Sequence, residues 1–483
     1  MRQVVHPPLR ASDGAGWSGP EGSGFRGGAW RAGAVLLLVF LTLVLPVVFT
    51  GAGGTSEEAD EREYHLPIIR TMQEQWPVVD LVEYESATAP GFHLLMAAAG
   101  RLTGSDAAMR WLNVAFGAGL ILVCFGFASR AAPAWVAAGL TLPLVADPYV
   151  LGATIWLTTD NAALMFVGLA LGGAVFVPAR GYGAARTLAL GAAAACAVGI
   201  RQIHVWLAAP VGLTGLLASP LAGLVPGWIA RAGGEALPER RSWRHLWAGI
   251  VGAALPVGLL AVFVVMWGGL MPRATGWVQL HAAGPNPASP AFGLALVGVL
   301  GVFYLPAALR EAAVRIDRVM LAAMAIGLTL ALVPETAYLW KSRSYGWLWR
   351  IVERTPEIGG RSVLIAVLAP LGAAWLVLMY RGAERAGRGR AALILLLSLL
   401  GWLGAQTFNS MAWQRYFEPT TLLGLAWLAA LATPRGADGA GLTDGLRVRL
   451  AGVWPVAGAL VLALGKLGLC AVTLYREALM SLR

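Results

Sequence analysis

Stretches of about 17 to 25 apolar residues recur along almost the whole chain, each long enough to cross the hydrocarbon core of a bilayer as a helix. No other feature narrows the fold as much. A backbone in lipid must satisfy its polar groups internally, which leaves only helices or closed β-barrels as spanning structures. The runs are continuously apolar instead of alternating, so the barrel is excluded. The expected fold class is an all-α polytopic membrane protein. Of 483 residues, 58% are hydrophobic and only 13% charged, against roughly a quarter charged in soluble proteins.

Thirteen helices are expected, at about 33–50, 108–129, 132–148, 161–178, 187–200, 203–218, 246–267, 291–309, 319–333, 363–380, 391–407, 416–432 and 451–473. Residues 1–32 are rich in Gly, Arg and Pro without apolar periodicity and read as a disordered cytoplasmic tail. Arg2, Arg10, Arg26 and Arg31 precede the first run and place the N-terminus inside. That run has no clean cleavage pattern and many spans follow, so it is a helix and not a signal peptide. Residues 33–483 then form one transmembrane domain. Its cytoplasmic loops, at Arg130, 180–186, 231–245, 310–318, 381–390 and 434–449, are nearly all Arg-rich, as the positive-inside rule requires. The net charge of +10 thus reports membrane orientation and not nucleic-acid binding. Cys124, Cys196 and Cys470 lie inside apolar runs and suggest neither a disulfide framework nor a metal site.

Two external loops stand out. Residues 52–107 form a large first loop containing Glu57, Glu58, Asp60, Glu61, Glu63, Asp80, Glu83 and Glu85, a heavy concentration of carboxylates in a basic chain. Two amphipathic stretches, 63–75 and 89–102, read there as short helices on the membrane surface. The loop 334–362 instead carries Lys341, Arg343, Arg350, Arg354 and Arg361 with Trp340, Trp347 and Trp349. A basic loop outside breaks the orientation rule and points to an anionic ligand. The tryptophans suit the interfacial belt, or stacking on a sugar face.

The topology gathers Asp60, Glu61, His65, Asp160, Arg201, Gln202, His204, His281, Arg343, Arg350 and Arg415 on the external face. Arg201, alone in the apolar stretch 187–218, is a functional candidate because ionisable groups at membrane depth are costly. Paired carboxylates at Asp60 and Glu61 suit a general base that takes a proton from an attacking hydroxyl. Arginine forks suit a phosphate leaving group. Asp60, Glu61, Glu63 and His65 match no compact metal-site spacing, so no metal is expected and a divalent ion is only an open alternative. Nucleophile motifs, GxGxxG and phosphate-loop signatures are absent in the required setting.

The order of several short segments is also informative: DEREYHLP at 60–67, TAPGF at 88–92, Arg110 to Asn113, Thr159 with Asp160, Arg201 and Gln202 before Trp206, Arg343 and Tyr345 before Trp349 and Arg350, and RYFEP at 415–419. All but Arg110 to Asn113 fall on the external side. The series resembles the dolichyl-phosphate-glucose dependent α-1,2-glucosyltransferases, within the wider group of multispanning transferases of the GT-C architecture that use polyprenyl-phosphate sugars. The family's His-rich middle loop is reduced here to His281. Ala, Gly and Arg usage suggests a bacterial relative with a bacterial polyprenol carrier. The resemblance implies a GT-C-like bundle in the inner or plasma membrane with an external site and a polyprenyl-phosphate-sugar donor as substrate. The acceptor would be a glycan, lipid or protein hydroxyl, and no cofactor is implied. Asp60 would act as base, with Glu61 the fallback, and His65 and Asp160 would orient acceptor or base. Arg343, Arg350, Arg201 and Arg415 would hold the donor phosphate, supported by Gln202, Tyr345 and His281. A secondary transporter or lipid flippase shares the composition, but would place ionisable residues mid-membrane in broken helices, often in two related halves.

Overall fold

The computed structural model describes residues 23–50, 56–176, 183–230, 232, 241–272, 284–309, 314–339, 344–434 and 445–476. Each of the thirteen expected runs coincides with a helix or a helix pair. Among the described residues six helices are long and apolar enough to cross a membrane, or seven if one bent pair counts as a single span. Others, such as Asp160–Val175 and Ser289–Gly301, are shorter apolar helices, and Gln414–Ala432, at 19 residues, is not among the candidate spans, so thirteen crossings are not confirmed on this measure. The first helix runs Ser23–Thr50 and takes in residues 23–32, which sequence assigns to the tail.

Helices meet where side chains are small. Gly191 faces Gly252, and Gly215 faces Gly249, so a methyl group at Gly191, Gly215 or Gly249 would run into the opposing backbone. Without a hydrophobic drive between helices in lipid, such close backbone approach supplies the packing. The bent pair Ala134–Val145 and Pro148–Ile155 turns by 69° at Asp147. Its freed carbonyls are met by asparagines. Asn113 Nδ2 reaches the carbonyls of Ala153 (3.0 Å), Thr154 (2.8 Å) and Trp156 (2.8 Å), and Asn161 Nδ2 donates to that of Val150 (2.8 Å).

The two expected surface helices exist, and they do more than lie on lipid. Ser56–Asp60, a π-helical turn Glu61–His65 and Leu66–Gln75 follow one another directly; the last packs on Gly91–Thr103 and the first on Pro148–Ile155. Ile69, Met72, Phe92, Met96 and Met109 build a second core there, separate from the main one. Trp267 Nε1 donates to the Leu81 carbonyl (2.8 Å) and ties this cap to the span Trp243–Trp267. Segments 344–345 and 412–413 form a two-residue parallel ladder, which joins the basic loop to the start of the helix Gln414–Ala432. At the far end of the bundle, Arg388 donates to the carbonyls of Ala430, Leu431 and Thr433 and caps that helix's C-terminus.

Candidate functional site

Asp60 and Glu61 are neighbours in sequence, but successive helical residues point about 100° apart, and the two carboxylates serve different partners. Glu61 turns inward and is 4% exposed. Arg110 grips it with both nitrogens (2.6 and 3.3 Å), and it accepts the backbone N–H of Leu157 (2.8 Å). Arg110, which the expected topology leaves apart from the external cluster, thus belongs to it. Glu61 pins the acidic helix to the bundle. Asp60 turns instead to Arg415, 355 residues away, and the two form an ion pair. The π-helical turn begins immediately after Asp60; such turns frequently accompany functional sites.

A second pair stands beside the first. Asp160 opens the helix Asp160–Val175, where the helix dipole favours an anion. Arg201 ends the helix Ala184–Ile200, where it favours a cation, and the two side chains are salt-bridged. The Tyr416 ring lies under both arginines, 4.4 Å from the Arg201 guanidinium carbon and 5.1 Å from that of Arg415, which also sits 4.8 Å from Trp413. Aromatic faces hold cations in this way and leave their N–H edges free for an anion. Glu57, Tyr149, Asp160, Arg201, Arg415 and Tyr416 line one narrow cleft of about 40 Å³. Arg415 Nε, His204 Nδ1 and Gln406 Oε1, all from lining residues, are buried without a hydrogen-bond partner. A second, mostly apolar cavity of about 500 Å³ adjoins the cleft and shares Arg201, Ile203 and Asn409 with it. Gln202 forms part of its wall and donates to the carbonyls of Ala87 (2.8 Å) and Leu270 (3.0 Å).

His65 does not reach Asp60 by any described hydrogen bond. Its Nδ1 meets His93 Nε2 at 2.8 Å, and His93 Nδ1 meets the Tyr84 hydroxyl, a buried file of three groups. Burial, with Arg415 and Arg201 nearby, pushes the His65 pKa down to about 3. Burial also drives that of His93 well below its ordinary value, so both imidazoles are neutral at physiological pH. Arg350 is exposed on the helix Trp347–Val352 and lines neither cavity. Tyr345 packs on Trp413 at 5.7 Å. Arg343, His281 and Trp340 lie outside the described residues. Trp349 belongs to neither a belt nor a sugar platform. It is buried, stacked on Phe292 at 4.5 Å, and donates to the Ala412 carbonyl (2.7 Å). Among the described residues no group of three or more His, Cys, Asp or Glu side chains could hold a metal ion.

One charged cluster escapes the sequence reading. Lys466, inside the helix Gly445–Thr473, is buried between Asp147 at the helix bend and Glu418, which are both fully buried. The signal was available, since a lone lysine in an apolar run is costly and asks for a partner. What sequence does not reveal is which carboxylates answer it.

No protein-family model matches the chain, nor does any curated protein. Two solved structures are similar over most of its length. ArnT from Cupriavidus metallidurans bound to undecaprenyl phosphate shares 16% identity at a TM-score of 0.38, covering 85% of this chain and 79% of that one. The same protein in the apo state shares 17% at a TM-score of 0.33, covering 84% and 79%. Likeness of this degree decides nothing about chemistry, which this chain's own residues must carry.

Proposed function

We propose that the chain is a GT-C type membrane glycosyltransferase. It moves a sugar from a polyprenyl-phosphate-linked donor to an acceptor hydroxyl on a glycan, lipid or protein, at the external face of the inner or plasma membrane. One observation carries the reading: two Asp–Arg pairs, drawn from four distant parts of the chain, have both arginines over Tyr416, and Asp160, Arg201 and Arg415 line a cleft that adjoins a large apolar cavity, with Asp60 reaching it through Arg415. The cavity suits a lipid chain, and the arginines suit the phosphate at its end.

In the resting state Arg415 and Arg201 hold Asp60 and Asp160. A donor phosphate competes for the guanidinium edges and frees Asp60. The acceptor oxygen attacks the anomeric carbon while Asp60 takes its proton. The bond from that carbon to the phosphate oxygen breaks, and its electron pair leaves on the phosphate, whose growing charge the arginines stabilise. A single in-line displacement of this kind inverts the anomeric centre. Asp160 orients the acceptor. Arg343 and Arg350 are assigned to the donor headgroup as it arrives from the outer leaflet, and Tyr345, Gln202 and His281 to supporting contacts. Glucose is the first sugar to try, from the resemblance to α-1,2-glucosyltransferases.

The test is transfer of radiolabelled sugar from a purified polyprenyl-phosphate donor by the detergent-solubilised protein. Product formation is expected, and a folded native chain that forms none with any donor sugar would refute the reading. A transporter or flippase has one observation in its favour, the broken helix with buried charges at Asp147. Solute uptake or lipid flipping by liposomes containing the protein, without sugar transfer, would favour that reading instead.

A further inference from the structure

Lys466 touches neither cleft nor apolar cavity, yet it joins the two elements that wall the cleft. Its ammonium donates to Asp147 Oδ2 (2.6 Å) and to Glu418 Oε1. Asp147 caps the helix Pro148–Ile155 by accepting the N–H groups of Tyr149 and Val150 (3.0 Å each). That helix supplies Tyr149 and Ala153 to one wall of the cleft. Glu418 lies one turn beyond Arg415 on the helix Gln414–Ala432, which supplies Arg415, Tyr416, Pro419 and Thr420 to the other wall. Its second oxygen accepts Trp347 Nε1 (2.8 Å) and Gln414 Nε2, and Gln414 Oε1 in turn accepts the backbone N–H of Leu348 (2.8 Å). The same carboxylate therefore also holds the external basic loop against the start of that helix. All four carboxylate oxygens of Asp147 and Glu418 are engaged, which is what a buried ionic group needs if it is to fix one geometry.

We propose that Lys466 is a positioning residue for the transfer reaction: from the last helix of the chain it clamps the two walls of the cleft, and so fixes Arg415 and Tyr416 against Tyr149. The assignment of a reaction rests on the transferase reading, whereas the clamp itself does not.

The test is the charge-neutral triple variant Lys466→Met, Asp147→Asn, Glu418→Gln. It preserves side-chain volume and, because Asn caps helices about as well as Asp, keeps the cap on Pro148–Ile155. Two measurements are made on the full-length protein in detergent. Hydrogen exchange of the segments 149–155 and 415–420 is expected to quicken roughly tenfold while the rest of the bundle is unchanged. Transfer is expected to lose roughly ten- to a hundredfold in kcat, with donor KM little altered, because the phosphate contacts survive but their alignment does not. Unchanged exchange in both walls would overturn the clamp whatever the protein's activity. Faster exchange with native kcat, in a chain that does transfer sugar, would overturn its role in the reaction. A native chain that moves no sugar would sink the transferase reading, while the exchange result would still decide the clamp.

Discussion

Asp60 and Glu61 differ in what surrounds them, and that difference assigns their roles. Asp60 pairs with Arg415, a residue of the cleft wall, while Glu61 is enclosed by Arg110 and a backbone amide. Asp60→Asn should lower transfer by about 10²- to 10⁴-fold, the usual worth of a general base, and because it leaves the part-buried Arg415 without its anion the melting temperature should fall as well. Glu61→Gln should act through stability alone. It leaves the Arg110 guanidinium without its anion and should cost about 1–3 kcal/mol of stability, seen as a lower melting temperature. Normal stability there would mean that Glu61 is not the anchor described. The file of His65, His93 and Tyr84 makes a pH prediction. Both histidines have depressed pKa values in the folded protein, so the unfolded chain binds more protons than the native one below its ordinary histidine pKa near 6.5. Their stabilising effect is complete above that pH and is lost as pH falls from about 6.5 toward 3. Thermal melts from pH 7 to 4.5 should show this decline, and His93→Phe should flatten it.

Among the elements, the glycine-lined contacts and the acidic cap are the most exposed to test. The helix Trp243–Trp267 meets Ala184–Ile200 and Ala208–Leu217 through facing glycines, and a side chain at Gly252 begins 3.0 Å from the Thr187 carbonyl oxygen and from Val211 Cγ1, which must give way to it. Gly252→Val should cost about 1–3 kcal/mol through overpacking, measured by chemical unfolding in micelles; a variant as stable as the native protein would show that the contact yields. The cap's two amphipathic helices were legible from apolar spacing alone, with boundaries within a few residues. Their packing into a separate core was not, because the spacing shows that a face is apolar and not what covers it. The same limit hid the short helix Pro148–Ile155 beyond the bend at Asp147. The run 132–148 reads as one helix that ends there, and the chain turns into a second helix whose freed carbonyls and buried carboxylate are met by the packed Asn113, Asn161 and Lys466 side chains.

At the scale of the whole molecule, helix alternation puts the acidic cap, Asp160, Arg201 and Arg415 at one end of the bundle and the loop holding Arg388 at the other. A cysteine at exposed Arg62, in a background lacking Cys124, Cys196 and Cys470, should react with a membrane-impermeant maleimide on intact cells, and one at exposed Arg315 should not. The reverse pattern would place the cleft inside the cell and remove the proposed donor from reach. The amino-acid sequence by itself determined that the chain is an α-helical membrane protein and where most of its helices run, and it pointed to Asp60, Asp160, Arg201 and Arg415 as residues of one end. Hydrophobic length and loop charge are local properties, readable in a window of a few turns. Only the tertiary structure decided that Asp60 pairs with Arg415 and Arg201 with Asp160, that Glu61 anchors, that Trp349 is core, and that Lys466 has partners. Those pairings join residues up to 355 positions apart. Nothing in a chain's local pattern sets which buried charge meets which, because that depends on how the packed helices bring their ends together.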